Sequence, residues 1–412
     1  MLRGKSIRTQ AVHAGERGPR PDFTPVSTPI YHSVTYMYES MEPLDQVFGG
    51  GREGYVYQRY GNPTVSAWER AIALLEEPAS SSVVEEEAAL MATSAVAFAS
   101  GMAAVHAALL GAGVKNGTRV VAAADVYGAT YALLVQTLAE LGVQTRFVDI
   151  TALDEVREAV EGSKPVAVLC EIISNPLLKV ADVPTLAEVA HQVGAALIVD
   201  NTFASPYLFR PLAHGADFVV HSATKYLSGH GDVMAGVVAC SGERARDLRS
   251  RQKLLGANLG PQEAWMALRG LKTLALRVRE QCANAQSVAE WLTTRPEVAR
   301  VNYPGLPEHP QHALAQRLFG GRGFGGMISL ELKNAGRAEV FRWMEALKLV
   351  LPVTTLGDVQ TLTLYPAHSS HRALSPEVRK ALGIGDGLVR LSVGIEDVQD
   401  IIADLAQALE TL

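Results

Sequence analysis

Cysteine is scarce: the 412 residues hold three, Cys170, Cys240 and Cys282, an odd and widely scattered set. A disulfide framework needs closely set, pairable cysteines, so none is expected, and a reducing compartment is indicated. No Cys-x-x-Cys pair occurs, which removes the usual zinc-knuckle spacing. Long apolar runs are missing as well. The stretch around Ala88 to Ala99 is short and broken by Thr93 and Ser94, whereas a membrane span needs about 20 mostly apolar residues. The start, Met1-Leu2-Arg3-Gly4-Lys5, turns polar at once and builds no signal-peptide core. Basic charge is not in excess: 37 Lys plus Arg stand against 43 Asp plus Glu, a formal net charge of -6. Such a chain is poorly suited to coating nucleic acid or an anionic membrane. What remains is a soluble cytoplasmic protein with neither nucleic acid nor membrane as partner.

Several catalytic signatures are also absent. No GxxxxGK[ST] occurs, because Gly270-Leu271-Lys272-Thr273 lacks a glycine next to the lysine; GxSxG and HExxH are missing too. The glycine-rich run Gly321 to Gly326 leads into a strand pattern rather than a helix, so it is no dinucleotide fingerprint. His309/His312 and His368/His371 have a spacing a metal could use, but they sit in polar turns without thiol or carboxylate support. They read as surface histidines, and no metal is expected.

What is present is a globular composition, 48% hydrophobic and 19% charged. Residues 1–64 are rich in Pro, Gly, Ser and Tyr, with little helical periodicity. A long irregular stretch cannot bury itself, and Tyr31, Tyr36, Tyr38, Tyr55, Tyr57 and Tyr60 favour an arm docked on a neighbouring subunit. Residues 65–262 alternate helix and strand signals. Trp68 to Leu75 reads as a helix, Pro78 to Glu87 as a surface insertion. Strands are expected at Arg119 to Ala123, Thr145 to Ile150, Val166 to Glu171, Ala196 to Val199, Phe218 to His221 and Gly236 to Ala239. That alternation implies an α/β domain on a mainly parallel sheet. Residues 263–412 read as a smaller α+β domain. It opens with one long helix, Glu263 to Trp291, includes a strand at Met327 to Leu332 and closes with a helix at Asp397 to Leu409.

A parallel sheet holds its ligand at the carboxyl ends of its strands, and three motifs fall there. Ser100-Gly101-Met102 opens an apolar helix, and free N–H groups at a helix start suit a phosphate. Leu197-Ile198-Val199-Asp200 delivers a carboxylate to a strand tip. Val219-Val220-His221-Ser222-Ala223-Thr224-Lys225 runs a buried strand into a lysine flanked by hydroxyls. Lysine is rarely buried unless paired or chemically used, and desolvation frees its amine as a nucleophile. A carbonyl-capturing lysine, a carboxylate for a pyridinium nitrogen and a phosphate cup are the needs of one cofactor, pyridoxal 5'-phosphate (PLP).

The run Ser222-Ala223-Thr224-Lys225-Tyr226-Leu227-Ser228-Gly229-His230-Gly231-Asp232 closely resembles the lysine motif of the Cys/Met-metabolism, or transsulfuration, PLP enzymes. The resemblance continues through Tyr57-Gln58-Arg59-Tyr60-Gly61-Asn62-Pro63-Thr64, Asp125-Val126-Tyr127-Gly128-Ala129-Thr130, Leu268-Arg269-Gly270-Leu271-Lys272-Thr273 and Val389-Arg390-Leu391-Ser392. It implies the aminotransferase-like fold (fold type I) and a homotetramer built from two active dimers. By the same resemblance Lys225 carries the cofactor and shuttles protons. Asp200 pairs with the pyridine nitrogen, and Tyr127 stacks on the ring and assists proton transfer. Ser100, Gly101, Met102, Ser222 and Thr224 hold the phosphate. Asn175 lies near the phenolic oxygen, Arg390 clamps the substrate carboxylate, and Tyr57 and Arg59 reach the phosphate of the neighbouring subunit.

The family includes cystathionine γ-synthase, cystathionine γ- and β-lyases, methionine γ-lyase and O-acylhomoserine sulfhydrylases. Here Thr355 stands where a serine is usual, Tyr365-Pro366-Ala367 replaces a His-Pro-Ala segment, and Ala129 replaces a cysteine frequent in methionine γ-lyases. The resemblance implies γ-elimination from a sulfur amino acid. The alternatives are γ-replacement (sulfhydrylase or cystathionine γ-synthase), cystathionine γ-lyase, or a non-catalytic relative. Val56 and Thr354, where cystathionine-specific members commonly carry glutamate, are expected to set the substrate's distal end.

Overall fold

The structure is a computed structural model that describes residues 25–77, 93–369, 372, 377, 379 and 383–412. A strand covered on both faces needs apolar residues at consecutive positions, and Val120-Val121-Ala122, Val168-Leu169-Cys170 and Leu197-Ile198-Val199 meet that need. They lie in β2 (Arg119–Ala123), β4 (Ala167–Glu171) and β5 (Ala196–Asp200) of a seven-stranded sheet. Its other strands are β1 (Thr93–Phe98), β3 (Gln144–Val148), β6 (Phe218–Ser222) and β7 (Gly236–Ser241), in the order β1-β7-β6-β5-β4-β2-β3. Pairings from β3 across to β6 are parallel, and β7 runs antiparallel to both of its neighbours. Alternate residues feed opposite cores: Val121, Val168, Leu197 and Val219 pack on one face, and Val120, Leu169, Ile198 and Val220 on the other.

The expected strands occur within about two residues of their observed ends, within the usual uncertainty of boundaries. Strand β1 was not among them. Its sequence, Thr-Ser-Ala-Val-Ala-Phe, sits inside a longer small-residue apolar run with no turn signal to bound it, and pairing with β7 along its whole length makes it a strand. The helix Pro63–Glu76 forms as expected. Its first turn is capped by Asn62, whose side chain accepts from the N–H groups of Thr64 and Val65.

Three expectations need correction. The single helix Glu263 to Trp291 is two, Pro261–Leu271 and Leu274–Thr293. At the break the Thr273 hydroxyl accepts from the guanidinium of Arg277, with neither Gly nor Pro marking the turn itself. The arm is not wholly irregular, since Met41–Phe48 forms a helix. And His309 is buried rather than a surface residue: burial holds its imidazole down at about 4. His312 stacks on Phe324 at 5.4 Å. His371 and the Pro78 to Glu87 insertion lie outside the described residues.

A second sheet of five strands has the order β10-β11-β12-β9-β8. It consists of β8 (Val298–Asn302), β9 (Met327–Leu332), β10 (Leu351–Pro352), β11 (Leu362–Leu364) and β12 (Leu388–Ser392). The helices Leu274–Thr293 and Val398–Leu409 bring Val288, Leu292, Ile401 and Leu405 against Ile328, Leu330, Val389 and Leu391. Among the described residues no helix is long and apolar enough to cross a membrane, and no group of three or more His, Cys, Asp or Glu could hold a metal.

Candidate active site

The carboxyl ends of β4, β5 and β6 open into a cavity of about 520 Å³, a size ordinary for small-molecule sites. Glu171 ends β4, Asp200 ends β5 and Ser222 ends β6, and all three line it. Ser100, Gly101, Met102, Tyr127, Asn175, Thr224, Lys225, Thr354 and Arg390 line it too.

The helix Gly101–Gly111 points its first turn at this space. Ser100 caps it, its hydroxyl accepting from the Ala103 N–H at 3.2 Å. Glycine is required at 101, because a Cβ there would stand 2.7 Å from Cβ of Ser222. The approach leaves backbone donors beside two hydroxyls, those of Ser222 and Thr224, an arrangement that suits an anion.

Asp200 is held by Thr202, whose N–H and hydroxyl both donate to Oδ1, at 2.9 and 2.5 Å. The same hydroxyl accepts from the Ser222 N–H at 2.9 Å, tying the β5 and β6 tips together. Burial raises the Asp200 carboxyl above its ordinary value, opposed by the Thr202 hydrogen bonds and the charge of His221. Behind the sheet His221 pairs with Glu76 at 2.6 Å, both side chains wholly buried.

Lys225 donates to the Thr355 hydroxyl at 3.0 Å. Burial, and then the positive charge of Arg390, hold its amine below the ordinary lysine value, against the opposing pull of Asp358. The turn after it is braced from beneath. The Arg277 guanidinium donates to the carbonyls of Tyr226 at 2.8 Å and Gly270 at 2.9 Å.

Arg390, on β12, crosses from the second sheet into the cavity. It donates to Oδ1 of Asn175 at 2.8 Å, and its Nε is buried with no partner. Burial lowers it to about 10. A buried guanidinium with an orphaned donor is prepared for an anion such as a carboxylate.

These residues fit PLP. The amine of a buried lysine, a carboxylate at a strand tip, an aromatic ring at Tyr127 and a helix N-terminus surround one space. Tyr127 is 44% exposed, which excludes a core role for it. Asn175 and Arg390, each readable from sequence as merely a turn or strand residue, meet across the cavity. Val56, Tyr57 and Arg59 are not brought to the cavity in the single chain. Arg59 donates to the carbonyl of Lys253 and lies over the Tyr57 and Tyr60 rings, beside a separate groove that Val56 lines.

Sequence reasoning missed Glu171, Thr202 and the apolar wall of Ile173, Phe203, Met234, Leu356 and Leu364. Glu171 carries the signal that marked Asp200, an acid closing an apolar strand. The wall residues come from separate loops and carry no local signal.

A sequence profile of the family described as Cys/Met metabolism PLP-dependent enzyme matches residues 8–410. An L-methionine gamma-lyase of Fusobacterium nucleatum subsp. polymorphum is 42% identical over 98% of each chain. A cystathionine beta-lyase of Lactococcus lactis subsp. cremoris is 40% identical over 98% of this chain and 99% of its own. The crystal structure of cystathionine gamma synthase from Xanthomonas oryzae pv. oryzae, in complex with aminoacrylate and cysteine, superposes with a TM-score of 0.84. That match is at 36% identity over 94% of this chain and 93% of the other.

Proposed function

The chain belongs to the Cys/Met metabolism PLP-dependent enzyme family, and from that premise we propose that it catalyses γ-elimination from an uncharged sulfur amino acid, as a methionine γ-lyase does. The observation carrying this reading is the charge map of the cavity. Among the described residues the lining carboxylates are Glu171 and Asp200, both at strand tips. The wall away from the cofactor and carboxylate groups is apolar at Ile173, Phe203, Met234, Leu356 and Leu364 and otherwise neutral, with hydroxyls from Thr130, Thr354 and Ser369. A substrate with a distal ammonium would find no carboxylate partner for it there, which disfavours it against an uncharged one. A thioether or thiol loses little on entering such a wall.

PLP, when bound, supplies an electron sink for charge developing on the substrate carbons. Each residue of the chain then has a task in this reading. Lys225, depressed by burial, is the amine that carries the cofactor and moves protons at its Nζ, with Thr355 orienting it through their hydrogen bond. Asp200, fixed by Thr202, holds the ring nitrogen in its charged form. Gly101 and Met102 offer backbone N–H groups, and Ser222 and Thr224 hydroxyls, to the phosphate. Tyr127 flanks the ring and assists proton transfer. Arg390 grips the substrate carboxylate, with Asn175 steadying the guanidinium at 2.8 Å.

The arm belongs to assembly in this reading. Val34, Met37, Met41, Phe48, Tyr57 and Tyr60 are exposed on the single chain, a dense apolar surface that suits burial against a second copy. There Tyr57 and Arg59 reach the partner's phosphate cup and Val56 its substrate, within a tetramer of two such dimers. The three cysteines are free and buried, in keeping with a cytoplasmic setting. The experiment is Thr354→Glu, with kcat/KM measured on methionine and cystathionine. A carboxylate at that position is expected to raise cystathionine relative to methionine by about tenfold or more. An unchanged ratio removes Thr354 from the substrate's distal end and the charge-map reading with it.

A further inference from the structure

Glu171 has no part in the roles assigned above, yet it is a buried acid that lines the cavity. It closes β4 directly beside Asp200, its register partner on β5, on parallel strands roughly 4.8 Å apart. Its Oε1 accepts from the Tyr127 N–H at 2.5 Å, and the backbone of Asn175 bears electrostatically on the same carboxyl. One buried side chain therefore fastens the Tyr127 loop after β2 to the end of β4.

The charges facing it come from every neighbouring element. Asp200 on β5 and Asp125 after β2 are acids, and both oxygens of Asp125 are buried without a partner. Cys170 precedes it on β4 as a buried thiol, pushed well up by burial. Tyr127 follows β2, His221 on β6 bears on Asp200, and Arg390 reaches in from β12, itself committed to Asn175 and the Thr355 carbonyl. Two adjoining carboxylates cannot both ionise cheaply in such a place. Burial and Asp200 hold Glu171 well above the ordinary range, more strongly than the backbone groups of Tyr127 and Asn175 draw it down.

We propose that Glu171 is a positioning residue that works as a neutral acid: its carbonyl oxygen pins the Tyr127 loop, leaving the adjoining Asp200 the charge that meets the cofactor ring. This rests on the assignment of Asp200 and Tyr127 to the cofactor. A neutral carboxylic acid has a close mimic in a primary amide, whose oxygen accepts and whose NH₂ donates. Leucine has a similar volume and can do neither.

The test is therefore Glu171→Gln against Glu171→Leu. The readouts are the dissociation constant for PLP by titration of apoenzyme and the absorption maximum of the bound cofactor, with Asp200→Ala alongside. Glu171→Gln should bind PLP within about threefold of wild type with an unmoved maximum. Glu171→Leu, which leaves the Tyr127 N–H without its acceptor, should bind about tenfold more weakly or worse. If the amide binds as weakly as the leucine, an ionised Glu171 is needed and the proposal falls. If leucine binds like wild type, the side chain only packs and the proposal falls as well. Should Asp200→Ala bind PLP with unchanged affinity and spectrum, the underlying assignment of Asp200 fails instead, whatever the Glu171 variants do. Because the amide is isosteric and needs no repacking, a weakly binding Glu171→Gln overturns the proposal even if the leucine chain does not fold.

Discussion

At the scale of single residues, the chemistry rests on where a few charges are desolvated. Lys225 is the sharpest case. Lys225→Ala should lower turnover by about 10³-fold or more with the fold intact, because no other lysine lines the cavity among the described residues. Circular dichroism together with borohydride-stable labelling of wild type and variant checks this, and substantial residual turnover would contradict it. The depressed amine also makes a prediction in pH. Capture of PLP by apoenzyme needs the neutral amine, so its rate should rise with pH about a midpoint below the ordinary lysine value. Arg390 contributes to that depression. Removing its charge in Arg390→Gln should therefore move the midpoint upward, and stopped-flow absorbance across pH would read the shift.

Much at this scale was legible in the chain. An apolar strand ending in an acid disclosed Asp200, and a strand running into a hydroxyl-flanked lysine disclosed Lys225. The same logic applied to Val168-Leu169-Cys170-Glu171 points to Glu171, but the acid reads equally as an ordinary strand terminus until its register with Asp200 is seen. Phe203 and Met234 were not legible at all, since an apolar side chain in a loop looks alike whether it lines a cavity or the core.

At the scale of elements, the site depends on close approaches that exclude side chains. Gly229, just beyond the lysine turn, has φ +70°, and a Cβ there would lie 1.9 Å from Nη1 of Arg277. Gly229→Ala combines a left-handed residue, costing about 1–2 kcal/mol, with displacement of the guanidinium that braces the Tyr226 and Gly270 carbonyls. It should lower Tm and weaken PLP retention together, measurable by calorimetry and by gel filtration of the holoenzyme. A variant with wild-type Tm and wild-type cofactor content would show that the brace is dispensable. The strands were readable because a parallel sheet imposes uninterrupted apolar runs. The break between Leu271 and Leu274 was not, because the helical pattern crosses it unbroken and only a local contact, Arg277 on Thr273 one turn back, marks it. Helix Met41–Phe48 carries Met41, Leu44, Val47 and Phe48 at helical spacing, but over eight residues in a Gly- and Pro-rich segment the pattern is too short to stand out.

At the scale of the whole molecule, the alternation of strands and helices already implied a covered, mainly parallel sheet, and the antiparallel β7 is the one departure. The arm's proposed place in a neighbouring site belongs to assembly and is tested there. If Arg59 serves the partner's cofactor, mixing Arg59→Ala chains with Lys225→Ala chains should restore activity. Each mixed dimer then contains one site with both residues intact. Recovery on mixing, followed by steady-state assay after subunit exchange, checks the arrangement, and its absence would confine Arg59 to its own chain.

The charge map of the cavity makes the central claim measurable in one experiment. Steady-state kcat/KM of the PLP-loaded enzyme should be determined side by side for methionine, homocysteine, O-acetylhomoserine and cystathionine. The account predicts that methionine exceeds cystathionine by about tenfold or more, because the distal ammonium of cystathionine meets no carboxylate. A value for cystathionine above that of every uncharged substrate would contradict it.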